Sequence, residues 1–283
     1  MENMQDIIID KPIKRSKLRL KLGKEYFILK RKFDWWRHRN AYCTVDINNN
    51  TCCYSHKKHQ SVLLRQLKDV DMYLQYNKIT NLRLAIEKLN GSIIKPNQRF
   101  SIWQKVGRPS KKRGFLEGLS LHNGQIGKDI GGGLCQLGNL IYWIVLHSDL
   151  TIIERWRHSF DVFPDINRTI PFACGATLSY NYVDLQLINK TNSTYRLNLW
   201  LDDQYLHGEL LADTPLSNHY EILETDHRIE QQWWGGFTRH NKIWQRKTHL
   251  IDNHVEEKLI SENHAIMMYT PFIANNEDEL KKQ

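Results

Sequence analysis

The chain has 283 residues, of which 41% are hydrophobic, so it can bury a sizeable core and is not a disordered protein. Its formal net charge is +9, and residues 1–40 carry +7 of it, with twelve Lys or Arg against five Asp or Glu. Five cysteines do not form the regular framework of a small disulfide-rich secreted protein. With no recognisable export signal or membrane-spanning run, we expect a cytoplasmic protein, with a peripheral position at the inner membrane face as the alternative.

Residues 1–40 form a basic N-terminal arm. From Lys24 onward, Phe27, Trp35 and Trp36 alternate with Lys and Arg, which predicts an amphipathic helix. This helix could dock on the domain or bind an anionic membrane surface, because Trp and Phe beside Lys and Arg suit such a surface. Nucleic acid is not an expected partner, since no zinc-finger, bZIP or RRM signature is present. We expect the arm to lie outside the main fold and to bind anionic surfaces.

The polar segment up to residue 60 contains the potential metal ligands Cys43, Cys52, Cys53, His56 and His59. Four of them could in principle hold zinc, but their spacing matches no closed four-ligand pattern. Loop thiols are the preferred interpretation, so we predict no metal and no other cofactor.

Residues 61–90 are predicted to form two helices, each with an apolar stripe. The first stripe is Leu63, Leu64, Leu67, Val70, Met72 and Leu74, and the second is Ile79, Leu82, Leu84, Ala85, Ile86 and Leu89. Asn90-Gly91 is a helix stop, because glycine accepts the left-handed cap conformation. A short strand, a turn at Pro96-Asn97 and a second strand follow over residues 93–103, and residues 107–133 are glycine-rich and predicted to be loop.

Residues 134–147 repeat apolar side chains at helical spacing, which predicts a helix. A strand begins at Ile152, and from Ala176 the alternation becomes that of β-structure, with a hairpin turn at Asp202-Asp203 and a bend over residues 233–237. The fold class is therefore predicted as α+β, with helices packed on a largely antiparallel sheet. We expect a central domain over residues 61–212, a β-rich extension over 213–272 and a flexible tail over 273–283.

Cys135 is the candidate nucleophile. It follows Gly131, Gly132 and Gly133 where a loop turns into a helix, and the helix N-terminus stabilises an anion and so favours a thiolate. The glycines let backbone approach a substrate, and their N–H groups could form an oxyanion hole together with Gln136. A lone cysteine among apolar residues is, however, more often an inert thiol.

His158 is the best candidate for the general base, because it lies near the end of the strand that follows the Cys135 helix. His147 is twelve residues along the same helix, about 18 Å away along its axis, and cannot reach the thiol. Asp161, Asp165 and Asp184 are candidate orienters of the histidine, and the sequence does not rank them.

Four ordered blocks resemble the VanW family, across about residues 80–210. They are Asn81-Leu82 to Ala85 with Leu89-Asn90-Gly91, Pro96, Phe100-Ser101 and Gly107; Gly131 to Gln136; Glu154-Arg155 with His158-Ser159; and Ala176 to Tyr180 with Asp184-Leu185 and Asn189. Two positions depart from the family pattern, because Gly175 and Asn97 stand where many members have Asp and Gly.

The resemblance implies a link to glycopeptide (vancomycin B-type) resistance and the cell wall. It also implies a Cys-dependent acyltransferase of the L,D-transpeptidase type, or an amidase, that acts on cell-wall peptides or their precursors, with Cys135 as acyl acceptor and His158 as base. The alternative is a non-catalytic accessory or binding protein, which Gly175 and the lack of an export signal favour. Selective labelling of Cys135 by iodoacetamide near neutral pH discriminates between the two.

Overall fold

The computed structural model describes residues 16–65, 70–122, 124–164 and 169–271, and the fold is α+β, as predicted. Its helices are α1 (Lys17–Arg37), α2 (Met72–Leu89), α3 (Ile102–Val106) and α4 (Cys135–Val145). Its strands are β1 (Thr44–Val45), β2 (Tyr54–Val62), β3 (Ser92–Ile94), β4 (Arg99–Ser101), β5 (Glu117–His122), β6 (Gln125–Ile130), β7 (Thr151–Glu154), β8 (Phe160–Asp161), β9 (Gln186–Ile188), β10 (Tyr195–Leu201), β11 (Tyr205–Ala212), β12 (Asn218–Gln231), β13 (Phe237–His249) and β14 (Val255–Met267).

The strands assemble into sheets in which nearly all neighbours are antiparallel. The five-stranded sheet has the order β1-β3-β10-β11-β2, and the four-stranded sheet has the order β12-β13-β14-β8. A three-stranded sheet, β4-β9-β7, and the β5–β6 hairpin lie beside them. The exception is β8, which pairs parallel with the end of β14. The C-terminal strands are thereby joined to a segment that directly follows His158.

Helix α4 lies at the centre of the core. The predicted apolar stripe is confirmed, because Leu137, Leu140, Ile141 and Ile144 are at most 2% exposed. Leu140 and Ile144 pack on Gly208 of β11, where a side chain would collide with them. Burying each such side chain contributes roughly 1.5–3 kcal/mol. The position of the Cys135 end of α4 is therefore held by some of the most buried residues of the chain.

The region before α4 differs in part from the sequence prediction. Two helices were expected here, and the described residues of this region form one, α2. It ends at Leu89 with Gly91 in a left-handed conformation (φ 79°), as predicted. The predicted first helix is wrong at its start, because β2 continues to Val62 and Leu63 is bound to Gln204 by a backbone hydrogen bond. Leu67 of its proposed stripe lies outside the described residues.

Two further segments depart from the expected pattern. The glycine-rich region predicted to be loop contains the β5–β6 hairpin, which runs from Glu117 to Ile130. In contrast, the alternating residues 176–182 form no long strand, and only an isolated bridge joins Ser179 to Val183. The hairpin at Asp202-Asp203 is confirmed by the pairing of β10 with β11, and the bend at residues 233–237 is confirmed between β12 and β13.

The second half of α1, which belongs to the predicted N-terminal arm, packs on the main fold. Ile28 is 2% exposed, and Trp35 packs against the hydrophobic core. Arg31 forms an ion pair with Glu154 at 2.7 Å. The expectation of a separate arm is therefore wrong here, and the alternative of a basic helix docked on the domain is confirmed. The proposed boundary at residue 60 also cuts through β2, which belongs to the five-stranded sheet.

Candidate functional site

Cys135 is the first residue of α4, as the sequence predicted. Gly131 and Gly133 adopt positive φ angles of 82° and 89°, and the chain enters the helix through Leu134 in helical conformation. The amide N–H of Gln136 donates to the Gly133 carbonyl at 3.1 Å. That amide is therefore already bonded within the first turn of α4, and the oxyanion hole suggested by the sequence stays a prediction.

The thiol of Cys135 is held by the backbone of Leu178. The Leu178 N–H donates to Sγ at 3.4 Å, and the Leu178 carbonyl lies 3.7 Å from Sγ as its acceptor. The residue is half-buried. Burial raises the pKa of the Cys135 thiol, and the N–H groups of Leu178 and Cys135 oppose this effect without cancelling it. The prediction of a lowered thiol pKa is therefore wrong, because desolvation outweighs the helix N-terminus.

His158 is not bonded to this thiol. Within the described parts of the chain, the hydrogen-bond partner of Cys135 Sγ is Leu178, and no hydrogen bond joins it to His158. The two segments do approach each other, because the Thr177 N–H donates to the Trp156 carbonyl at 2.7 Å. Burial lowers the pKa of the half-buried His158 imidazole. The Cys–His pair thus remains a prediction that requires a rearrangement of side chains.

The three glycines before Cys135 allow other segments of the protein to pack closely against this loop. A Cβ at Gly132 would overlap the backbone of Gly118, and a Cβ at Gly133 would overlap the aliphatic stem of Lys78. A Cβ at Gly131 would lie 2.6 Å from Pro109. The close approach that we predicted for a substrate is therefore made on these sides by the chain's own residues.

Gln136 also has a structural partner. Its side-chain amide donates to Ser61 Oγ at 2.9 Å and to the Val62 carbonyl at 2.8 Å. The side chain thus joins the first turn of α4 to the end of β2. Its role in substrate binding remains a prediction that would compete with these two bonds.

Asn139 and Gly175 meet on the next turn of α4. The Ala176 N–H donates to Asn139 Oδ1 at 2.8 Å. A Cβ at Gly175 would lie only 2.6 Å from that same oxygen. The aspartate that many family members carry here would require Asn139 to move, so the departure at Gly175 is coupled to the position of this side chain.

An acidic pair, the buried Asp184 and the half-buried Glu154, lies beside the site. Asp184 is 0% exposed and accepts a hydrogen bond from Ser101 Oγ at 2.5 Å. Its backbone N–H donates to Glu154 Oε1 at 3.2 Å. Burial raises the pKa of Asp184 to about 7, and Glu154 adds to this effect while Arg31 opposes it. The guanidinium that partly neutralises the pair thus comes from α1.

The three candidate orienters of His158 have different surroundings. Asp184 belongs to the acidic pair just described. Asp161 is buried against Arg239 at 3.3 Å and accepts a hydrogen bond from Tyr269 at 2.9 Å. Asp165 lies outside the described residues. These bonds join Asp161 to β13 and to the segment after β14, and they join Asp184 to β4.

The cysteines of the N-terminal segment are separate from this site. Cys43 and Cys52 are buried, Cys53 is exposed, and the Cys52 thiol donates to the Thr194 carbonyl at 3.4 Å. His56 Nε2 contacts the Thr214 carbonyl at 2.9 Å. Among the residues that the structure describes, no group of three or more His, Cys, Asp or Glu is placed to hold a metal ion.

Two residues that position the Cys135 segment, Asn81 and Lys78, were not identified from the sequence. Asn81 is fully buried, donates to the Gly132 carbonyl at 2.9 Å and accepts from the Leu116 N–H at 2.8 Å. Lys78 is 7% exposed, and burial lowers its pKa to about 8. Asn81 belongs to one of the blocks that resemble the VanW family, and this resemblance could have identified it. Lys78 sits inside an amphipathic helix and carried no signal of its own.

A family model described as "VanW like protein" matches residues 77–211. The chain is also 40% identical to the Vancomycin B-type resistance protein VanW of Enterococcus faecalis over 152 residues, which cover 54% of this chain and 55% of that protein. The segment that matches this family model runs from within α2 to β11 and contains the Cys135 site.

The chain is also similar to the Uncharacterized protein YoaR of Bacillus subtilis, with 26% identity over 112 residues, which cover 40% of this chain and 35% of that protein. The chain thus spans about half of the first curated relative and about a third of the second. No solved structure matches the chain. None of the described helices is long and apolar enough to cross a membrane.

Several residues of the quoted VanW blocks bond to other segments of the domain. Asn81 bonds to Gly132, and Ser101 bonds to Asp184. Asn189 donates to the Ile94 carbonyl at 2.9 Å. Each of these bonds joins segments far apart in sequence, so these three residues hold separate parts of the fold together.

Proposed function

We propose that this chain acts in glycopeptide resistance as an accessory protein that binds cell-wall peptides or their precursors through the surface around Cys135. The name of the Enterococcus faecalis relative supports the link to resistance. The observation that carries the non-catalytic role is the bonding of the Cys135 sulfur to Leu178, without a hydrogen bond to His158 among the described residues. A thiol with a raised pKa is mostly protonated at neutral pH and is a poor nucleophile.

Two exposed aromatic side chains on the segments next to Thr177 and Leu178 support a binding role. Trp156 is 57% exposed and Tyr182 is 37% exposed. The Trp156 carbonyl accepts the hydrogen bond from the Thr177 N–H, and Tyr182 lies four residues after Leu178. Aromatic rings of this kind give large contact areas at low cost in side-chain entropy, which suits the binding of a peptide.

A cysteine-dependent acyltransferase of the L,D-transpeptidase type, or an amidase, is the second candidate. It is favoured by the position of Cys135 at the start of α4 and by the Leu178 N–H, which would stabilise a thiolate. In this mechanism the Cys135 sulfur would form a thioester with the acyl donor. His158 would take the thiol proton and pass it to the amine that leaves.

Incubation with soluble peptidoglycan stem peptides separates the two candidates. We expect the wild-type chain and Cys135→Ala to bind these peptides with dissociation constants equal within about twofold, and mass spectrometry to find neither a thioester adduct nor a new product. Isothermal titration calorimetry measures the binding, and Cys53→Ala, which changes an exposed thiol, is the matched control. Product formed by the wild type and Cys53→Ala but not by Cys135→Ala would establish the acyltransferase or amidase instead. Absence of binding by all three would contradict the proposal.

A further inference from the structure

Helix α1 has two apolar faces, and among the described residues only one of them is covered. The face that contacts the domain carries Ile28, Arg31 and Trp35. The other face carries six large exposed side chains, which we call the outer stripe: Leu18 (67% exposed), Leu22 (62%), Tyr26 (61%), Leu29 (65%), Phe33 (60%) and Trp36 (61%). With about 100° between successive residues, these six fall within roughly 80° of the helix circumference, on the side away from the docked face.

Basic side chains flank the outer stripe on both sides. At the same spacing, Arg19, Lys30 and Arg37 follow one edge, and Lys21 and Lys32 follow the other, where Glu25 is an acidic neighbour. All of these side chains are exposed. An apolar stripe bordered by Lys and Arg is the pattern of a helix that lies in the plane of a membrane interface.

We propose that the outer stripe of α1 docks on the surface of an anionic lipid bilayer. The stripe extends over about 27 Å of helix and exposes several hundred Å² of apolar surface, on the order of the largest patches on monomeric proteins, which are often functional. The basic edges match acidic headgroups, and the aromatic rings of Phe33 and Trp36 suit the boundary between headgroups and acyl chains. The proposal does not rest on the proposed function of Cys135.

The docked face of α1 connects the proposed bilayer contact to the segments around Cys135. Arg31 is paired with Glu154 at 2.7 Å, and the ring of Phe27 lies 6.4 Å from that of Tyr182. Both partners border the segments that surround Cys135. A bilayer bound by the outer stripe is therefore joined through α1 to the candidate site.

Co-sedimentation of the full chain with lipid vesicles tests the proposal. We expect binding to vesicles that contain phosphatidylglycerol, little binding to pure phosphatidylcholine, and weaker binding as salt shortens the Debye length from about 10 Å at 0.1 M to about 3 Å at 1 M. Leu22→Gln on the stripe and Leu20→Gln outside it form a matched pair, because these leucines are 62% and 56% exposed. Leu22→Gln is expected to weaken vesicle binding about tenfold, and Leu20→Gln much less.

Three results would overturn the proposal. The first is equal binding to anionic and zwitterionic vesicles, and the second is an equal effect of the two leucine substitutions. The third is a dimer that light scattering detects without lipid and that Leu22→Gln alone dissociates. In that case a second copy of the chain, rather than a bilayer, covers the outer stripe.

Discussion

Replacing Gly132 with alanine is expected to lower the free energy of unfolding by more than about 3 kcal/mol, at or above the upper end of the usual cost of overpacking. The new methyl group would overlap the carbonyl group of Gly118 and lie 2.7 Å from its Cα. The obstacle is backbone, and the bonds of Asn81 to Gly132 and Leu116 keep the two segments together. Neither segment can therefore move away without breaking buried hydrogen bonds.

Urea denaturation followed by circular dichroism measures this loss. Gly23→Ala is the matched control, because nothing lies within 4 Å of a Cβ at Gly23 and alanine is the better helix former by about 1 kcal/mol. We expect the control to equal or exceed the wild type in stability. A loss below about 1 kcal/mol for Gly132→Ala would contradict the close packing of these two backbones.

Replacing Arg31 with methionine is expected to lower the free energy of unfolding by about 2–3 kcal/mol. Breaking a buried ion pair costs roughly 3–5 kcal/mol, and the cost here is smaller because the side chains of Arg31 and Glu154 remain 17% and 18% exposed. Methionine keeps the apolar stem of the side chain but leaves Glu154 and the fully buried Asp184 without their guanidinium. Lys32→Met is the matched control, since Lys32 is exposed.

The pH dependence identifies the cause of this loss. The pKa of Asp184 is raised to about 7, above the value of about 4 for an unfolded chain. Its contribution to stability is therefore greatest at acid pH and falls as the pH rises from about 4 to about 7. Removing Arg31 raises the pKa of Asp184 further, so the loss is expected to be larger at pH 8 than at pH 5. Equal losses at both values, or an equal loss in Lys32→Met, would contradict this account.

The elements that the sequence predicted well are those with a strong local pattern. The stripe of α4 and the stop at Asn90-Gly91 depend on residues within a few turns of each other. The β5–β6 hairpin was missed because its glycines look like loop residues. Position 118 requires glycine because the Gly132 backbone packs directly against it. The two positions are fourteen residues apart, so no local pattern reveals this requirement.

The candidate site was predictable in position but not in chemistry. Local sequence placed Cys135 at a helix start, and the structure confirms it. The state of the thiol depends on Leu178, which is 43 residues away. The neutralisation of Glu154 depends on Arg31, which is 123 residues away. Burial and long-range contacts of this kind leave no periodic pattern in a single sequence.

The pH profile of Cys135 alkylation by iodoacetamide tests most directly whether this thiol is at rest a nucleophile. Peptide mass spectrometry follows Cys135 and the exposed Cys53 in the same sample. We expect Cys135 to react more slowly than Cys53 at pH 7, to reach half its maximal rate above about pH 8.5, the ordinary pKa of a thiol, and to keep this profile in His158→Ala. Faster reaction of Cys135 than of Cys53 near pH 7, lost in His158→Ala, would contradict the account and establish an activated Cys–His pair.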